Sequence, residues 1–173
     1  APDFRRRSVF MNNINTKLLS LLEQNARYSL EDLALMLGSD EKSIASEIDA
    51  LYSDGIIRGY KALINWDMVD NSHVNAIIEL KVTPQPDAGF EDLAERIMRF
   101  DHVESVYLMS GGYDLCVMVA GQSFQGIAMF VAKRLATLAG VVSTATHFVL
   151  RKYKDHGVEM IDADKDDRET FSF

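Results

Sequence analysis

Two apolar stretches joined by Gly111-Gly112 constrain the fold more than any other part of the sequence. They lie within VESVYLMSGGYDLCVMVA, residues 103–120. A glycine pair supplies the positive φ angles of a tight hairpin turn, so we expect two antiparallel strands joined by a two-residue turn. Strict alternation in the first strand would point Val103 and Val106 to opposite faces. The return strand, residues 113–119, is apolar almost throughout, which is typical of a central strand.

A helix and a further strand flank this hairpin on each side. Residues 74–82 form a strongly apolar strand pattern, and residues 89–100 follow with helical spacing. After the hairpin, residues 123–138 have a helical pattern and residues 141–153 alternate as a last strand. The order β-α-β-β-α-β predicts a ferredoxin-like sandwich with both helices on one face of the sheet. Its other face should be covered by a second copy of the chain.

The N-terminal part predicts three short helices. The first has its apolar stripe at Ile14, Leu18, Leu21 and Leu22. The second begins after Ser29, which has Asp32 three positions on as in a capping box, and ends at Gly38.

The third helix begins at Ser39 or Asp40 and is closed by Gly55. Residues 56–64 indicate a strand pair or one bent strand, which would complete a winged helix-turn-helix. The predicted fold class is therefore α+β, a winged helix-turn-helix followed by a ferredoxin-like sandwich. In the tail, residues 158–161 could add a short edge strand.

These patterns divide the chain into five parts. Residues 1–10 are expected to be a vector-derived or disordered extension, and 11–64 the winged helix-turn-helix domain. Residues 65–73 are the linker, 74–154 the effector-binding and oligomerisation domain, and 155–173 an acidic tail.

Composition limits the classes of partner. The net charge is −8, from 26 acidic and 18 basic residues, which argues against non-specific binding of polyanions by the whole chain. Cys116 is the only cysteine and lies in an apolar strand, as expected of a buried thiol in a reducing compartment. No apolar run approaches the length of a membrane span. We expect a soluble cytoplasmic protein with no membrane partner.

The order of these parts and two of the motifs resemble a known family. LEDLALMLGSDEKSIASEIDALYSDGIIRGYKALIN is similar to the helix-turn-helix and wing of the leucine-responsive regulatory protein/AsnC family of bacterial transcription regulators. HVESVYLMSGGYDLCVMV and AGVVSTATHFVL resemble the hairpin and last strand of its effector-binding domain. The resemblance implies a regulator that binds double-stranded DNA and senses an amino acid or related metabolite. It also implies homodimers that assemble further, commonly into octamers, with the effector between neighbouring dimers.

The resemblance places the effector site in the hairpin loop and the last strand. Exposed backbone N–H groups of a glycine pair could bind a carboxylate, a nearby carboxylate could bind an ammonium group, and strand threonines offer hydroxyls. A purely structural interpretation stays open: the glycines form a turn, the aspartate caps it, and the threonines are ordinary strand formers. The candidate residues are Ser110, Gly111, Gly112, Tyr113, Asp114, Ser143, Thr144 and Thr146.

The third helix departs from the family pattern. Its polar positions are Asp40, Glu41, Lys42, Ser43, Ser46, Glu47 and Asp49, of which only Lys42 is basic. Phosphate contacts dominate affinity for DNA, so an acidic recognition helix weakens the DNA-binding interpretation. The candidate DNA contacts, which include the preceding turn and the wing, are Arg27, Lys42, Ser43, Ser46, Arg58 and Lys61.

Two alternatives follow. The same scaffold could serve as a sensor or assembly protein that does not bind DNA, or as an enzyme similar to the siroheme decarboxylases. The four histidines are scattered over linker, loop, strand and tail, and the sequence has no nucleophile–base pair, metal-ligand spacing or phosphate loop. We therefore expect no enzymatic activity, no catalytic residue, no cofactor and no metal.

Overall fold

The computed structural model describes residues 13–69, 73–83 and 89–161. The predicted N-terminal extension, part of the linker and most of the acidic tail lie outside these residues. The chain divides into two compact units, 1–62 and 63–173.

The N-terminal unit contains three helices, α1 (Asn13–Gln24), α2 (Leu30–Leu37) and α3 (Glu41–Ser53). They enclose a small core of buried aliphatic side chains, because each helix turns one apolar stripe inward. These core residues are Leu18, Leu22, Leu33, Ala34, Ile44, Leu51 and Ile57. Ile14, predicted to belong to the apolar stripe of α1, is 44% exposed instead.

The predicted caps of these helices are present. Ser29 forms a reciprocal capping box with Asp32 at the start of α2, and Gly38 ends that helix in the left-handed conformation at φ 64°. Asp40 caps α3, and Gly55 follows its last turn at φ 71°. Each cap satisfies backbone groups that the helix leaves unpaired, which fixes the helix boundaries in the sequence.

The predicted wing strand is wrong. Residues 56–65 have no strand, although all of them are described. Gly55 and Gly59 have φ of 71° and 156°, so the backbone is turned on both sides of this short apolar segment. With no described strand alongside it, the segment lacks the ladder that stabilises extended backbone.

The C-terminal unit is a four-stranded antiparallel sheet with two helical segments. Its elements are β1 (Val74–Val82), α4 (Glu91–Met98), β2 (Val103–Leu108), β3 (Leu115–Gly121), α5 (Phe124–Phe130) and β4 (Val141–Val149). The strand order is β2-β3-β1-β4, as a ferredoxin-like fold requires. Alternate residues of β1 are buried, and the core includes Leu93 and Ile97 of α4 and Ile127 of α5. Both helical segments therefore cover the same face of the sheet.

The hairpin differs from the prediction at both its strand and its turn. The pairing of β2 with β3 shifts between Val103 and Ser105, so Val103 and Val106 both pack against the core instead of pointing to opposite faces. The turn is longer than two residues: the Met109 N–H donates to the Asp114 carbonyl at 2.8 Å, enclosing four residues. Gly111 alone of the glycine pair has a positive φ, 151°.

The helical pattern predicted for 123–138 is interrupted. After α5 the chain continues as a wider helical turn, Val131–Leu135, in which the Ala136 N–H donates to the Val131 carbonyl five residues back. The extra residue per turn keeps Phe130, Val131 and Leu135 all buried. The core positions were predicted correctly although the geometry between them was not.

The end of the chain also differs from the prediction. Strand β4 ends at Val149, not at residue 153. Lys154–Asp155 (β5) and Val158–Glu159 (β6) pair with each other in a separate small hairpin. Residues 158–161 therefore do not add an edge strand to the main sheet.

Candidate effector loop and DNA-binding surface

The loop of residues 109–114, which we call the effector loop, is fixed to the sheet through Asp114. The Asp114 N–H donates to the Leu80 carbonyl at 2.9 Å, and the Asp114 carboxylate accepts from the Val82 N–H at 2.7 Å. The carboxylate thus replaces a backbone carbonyl where the β1–β3 ladder stops at Leu80–Leu115. Of its two predicted roles, binding an ammonium group or holding the turn, Asp114 visibly performs the second.

Strand β4 brings the other candidate residues to the same end of the sheet. Thr144 pairs with Leu80, which pairs on its other side with Leu115 at the end of the effector loop. The effector loop and Thr144 therefore lie on opposite sides of β1, about 10 Å apart at the usual strand spacing.

The two sides of β4 differ. Thr144 and Thr146 pair with buried residues of β1 and lie on the helix side of the sheet, half-buried. Ser143 pairs with Lys81 and lies on the opposite, open face. The predicted hydroxyls therefore divide between two faces.

The open face carries a polar row that sequence inspection did not assign. Cys116 of β3 pairs with Glu79 of β1, and Glu79 lies 3.6 Å from His147 of β4. Burial first, and then the negative charge of Glu79, raises the pKa of the Cys116 thiol, while a hydrogen bond with Tyr113 opposes the rise. Burial also raises the pKa of Tyr113, which connects the effector loop to this face. Only the strand register could have predicted this row, because it places Cys116, Glu79 and His147 on the same face of the sheet.

The acidic residues of α3 are distributed unevenly around the helix. Two of its acids are engaged within the unit: the Asp40 carboxylate accepts from the Ser43 backbone N–H at 3.0 Å and from its hydroxyl at 2.6 Å, and Glu47 accepts from the Asn15 side chain of α1. The Ser43 hydrogen bonds lower the pKa of Asp40 below its ordinary value of 3.8. At the helical period, the side opposite buried Ile44 presents Lys42, Ser46 and Asp49, with one charge of each sign.

The remaining candidate DNA contacts lie outside α3. Arg27 is exposed in the turn before α2, and its backbone N–H donates to the Asn25 side chain at 3.0 Å. Arg58 and Lys61 are exposed in the segment predicted as the wing. A Cβ added at Gly55 would lie 3.2 Å from the Arg58 guanidinium carbon, so the absence of a side chain there leaves room for Arg58.

Within residues 13–69, 73–83 and 89–161, every helix is too short or too polar to span a lipid bilayer. The same ranges contain no group of three or more His, Cys, Asp or Glu side chains that could hold a metal ion.

Comparison with known proteins decides the family. Residues 75–159 match the family model described as the Lrp/AsnC ligand binding domain. The chain is 46% identical to the HTH-type transcriptional regulator YugG of Bacillus subtilis over 154 residues, which cover 88% of this chain and 93% of the relative. The chain belongs to the Lrp/AsnC family of transcription regulators.

Two more distant matches show how far the similarity extends. The leucine-responsive regulatory protein of Haemophilus influenzae is 26% identical over 87% of this chain and 90% of its own length. The crystal structure of the Neisseria meningitidis transcriptional regulator NMB0573 with L-methionine superposes with a TM-score of 0.68 at 24% identity, covering 84% of this chain and 93% of that one. The Neisseria structure thus shares the fold.

Proposed function

We propose that this Lrp/AsnC-family regulator binds operator DNA through α3 and senses an amino acid at the effector loop. The observation that carries the proposal is the combination, in one chain, of a capped helix-turn-helix unit with a ligand-binding domain, in the same order as in a regulator 46% identical to it. The regulator is expected to act in the cytoplasm, without enzymatic activity or cofactor.

DNA binding rests on the residues that project from the N-terminal unit. Lys42 and Ser46 lie on the outward side of α3, while Arg58 and Lys61 follow it in the chain. The charges of Lys42 and Asp49 on the outward side of α3 offset each other, while Asp40 and Glu47 lie elsewhere around the helix. Few positive charges should still give weak affinity per unit and a shallow salt dependence.

Effector binding rests on the effector loop and on the start of β4. Backbone N–H groups of Gly111 and Gly112 would bind the carboxylate, and the Thr144 hydroxyl lies at the same end of the sheet. An amino acid is the ligand we favour, since a related regulator was crystallised with L-methionine. These two stretches lie on opposite sides of β1, so a second chain would complete the site around one ligand.

The open face of the sheet supports a homodimer. Ile77, Met118 and Ala145 share this face with the Glu79–His147 pair, and Tyr107 at its edge is 49% exposed. Apolar strands of this kind are usually covered by another surface, and a second copy would supply an equal one. Multivalent binding by such dimers, or by octamers built from them, would raise the affinity for DNA above that of one unit.

Fluorescence anisotropy tests this function. The full chain would be titrated against DNA from its own upstream region across a salt series, with and without a mixture of amino acids. We expect sequence-dependent binding that an amino acid shifts, and weaker binding of Lys42→Ala and Arg58→Ala. An absence of binding at low salt would overturn the DNA-binding part and favour a sensor or assembly protein, because only Lys42 is basic on α3.

A further inference from the structure

A second cleft lies at the end of the sheet opposite to the effector loop. It is bounded by Asn75 near the start of β1, by Val149 at the end of β4 and by Trp66 in the segment before β1, and encloses about 260 Å³. The effector loop lies beside Leu80 and Val82, at the other end of the same strand. A strand of this length separates the two sites by roughly 25 Å.

Aromatic and amide groups form one wall of this cleft. The rings of Trp66 and His73 are stacked, 4.1 Å apart between centroids and within 1° of parallel. The Asn65 side-chain amide donates to the Met160 carbonyl at 2.7 Å, which joins the segment before β1 to the C-terminal hairpin. This wall is therefore held by contacts from three parts of the C-terminal unit.

Cationic side chains also line the cleft. Arg151 and Lys152 both contribute, directly after β4. Lys152 is already paired with Asp155 at 3.3 Å. The Arg151 guanidinium lies 5.6 Å from the centre of the Tyr153 ring, and no described residue places a carboxylate within ion-pair distance of it. Of the two cations that line the cleft, Arg151 is therefore the one that can bind an anionic ligand.

The charge and the size of the cleft indicate the class of ligand. Two cations and one carboxylate, Asp67, line it, which gives a net charge of +1. Its volume of about 260 Å³ is just below the range of drug-sized ligand sites, which start at about 300 Å³, so only a small molecule fits. Phe124, which packs edge-on against Phe148 at 5.0 Å, adds apolar surface. A guanidinium recognises carboxylates through two parallel hydrogen bonds.

We propose that this cleft is a second ligand site, specific for a small organic carboxylate with an apolar side chain. Arg151 binds the carboxylate, and the Trp66–His73 stack and Phe124 contact the apolar part. The Asp67 carboxylate can also accept hydrogen bonds from the ammonium group of an amino acid. The site is independent of the effector loop and uses none of its residues.

The experiment uses Trp66, the only tryptophan of the chain, as the reporter. The full-length protein would be titrated with L-leucine, with isocaproate, which lacks the ammonium group, and with isoamylamine, which lacks the carboxylate. The same three forms of phenylalanine would test a larger side chain. We expect a saturable change of Trp66 fluorescence with carboxylate-bearing compounds and none with the amines. If isocaproate and L-leucine both bind, the site recognises carboxylates in general. If only the amino acid binds, the ammonium group is also required, and Asp67 is the residue that binds it.

Three variants localise the signal. Arg151→Gln should weaken binding about tenfold or more, and Arg151→Lys should weaken it less because the charge remains. Arg99→Gln, which removes an exposed arginine at the end of α4, is the matched control and should leave the affinity unchanged. Asp114→Asn changes the effector loop and its hydrogen bond to Val82, at the far end of β1 from the cleft, so the folded variant should keep this signal.

Two results would overturn the proposal. One is the absence of a saturable signal with either series; the other is an unchanged affinity in Arg151→Gln. A signal lost in Asp114→Asn but kept in Arg151→Gln would assign the response to the effector loop.

Discussion

The Asp114 carboxylate accepts a hydrogen bond from the backbone N–H of Val82 at 2.7 Å, so a side chain of the effector loop completes the ladder of the central strand. The same residue also donates its N–H to the Leu80 carbonyl. Two hydrogen bonds of Asp114 therefore connect the effector loop to strand β1, and Asp114 is also one of the predicted effector contacts.

The first prediction concerns the stability provided by this contact. Asp114→Ala leaves the Val82 N–H without its acceptor and should lower the free energy of unfolding by about 1–3 kcal/mol. Asp114→Asn retains an acceptor oxygen and should cost less. Urea titrations followed by Trp66, which lies in the same unit, would measure both. Equal stability of Asp114→Ala and the wild type would contradict the structural role.

Asp114 also shows where prediction from sequence stops. The hairpin, the order of helices and strands along the chain and the buried positions of residues 127–135 follow from apolar periodicity, which is local information. The four-residue turn, the bulge beside Val103 and the use of the Asp114 carboxylate in a ladder depend on where β1 lies, which periodicity does not contain. Gly111 and Asp114 were grouped in the prediction because they are close in sequence, but the hydrogen bonds of Asp114 are made to strand β1.

The N-terminal unit shows the same limit in its charges. The capping box of Ser29 and Asp32 was predictable because all its partners lie within four residues. The contact between Asn15 and Glu47 spans 32 positions and could not be derived from the pattern of α3. Counting the charges of α3 therefore overestimated the acidity of its outward side.

The second prediction concerns Asp40 and DNA. Asp40→Asn keeps an N-cap side chain, so α3 should persist, while the loss of a negative charge should raise affinity for DNA at low salt. The effect should shrink as salt rises, which anisotropy would measure. Glu23→Gln, at an exposed position on α1, is the control for a general change in net charge. An equal increase of DNA affinity in Asp40→Asn and Glu23→Gln would show that only the net charge of the protein matters, not the position of Asp40 beside α3.

The same residue gives the third prediction, on pH. Hydrogen bonds from Ser43 hold the pKa of Asp40 below 3.8, so the folded state binds the proton less readily than the unfolded state. The stabilisation is present above the unfolded pKa and is lost as the pH falls through the folded pKa. Circular dichroism of thermal unfolding at pH values from about 5 down to about 2 should show a smaller loss of stability in Asp40→Asn than in the wild type. Parallel curves would contradict this account.

The fourth prediction concerns Cys116. Burial and the nearby Glu79 carboxylate raise the pKa of its thiol, so little thiolate should be present at neutral pH. Iodoacetamide should therefore modify native protein much more slowly than urea-unfolded protein. Glu79→Gln removes the adjacent negative charge and should accelerate the reaction. Mass spectrometry would give the rates, and equal rates in native and unfolded protein would contradict the raised pKa of the Cys116 thiol.

The last prediction concerns the open face of the sheet. Ala145 lies directly opposite Glu79 in the register of β1 and β4, so Ala145→Glu places two carboxylates side by side on that face. Like charges in this position repel, and enclosing them under a second copy of the chain would add a desolvation cost. We expect this variant to dissociate the proposed dimer at micromolar concentration, as measured by analytical ultracentrifugation.

Lys133→Glu changes an exposed residue in the turn after α5, on the helix side, and serves as the control. If Ala145→Glu remains as associated as the wild type, the copies must meet through another surface, and the polar row of Cys116, Glu79 and His147 stays exposed.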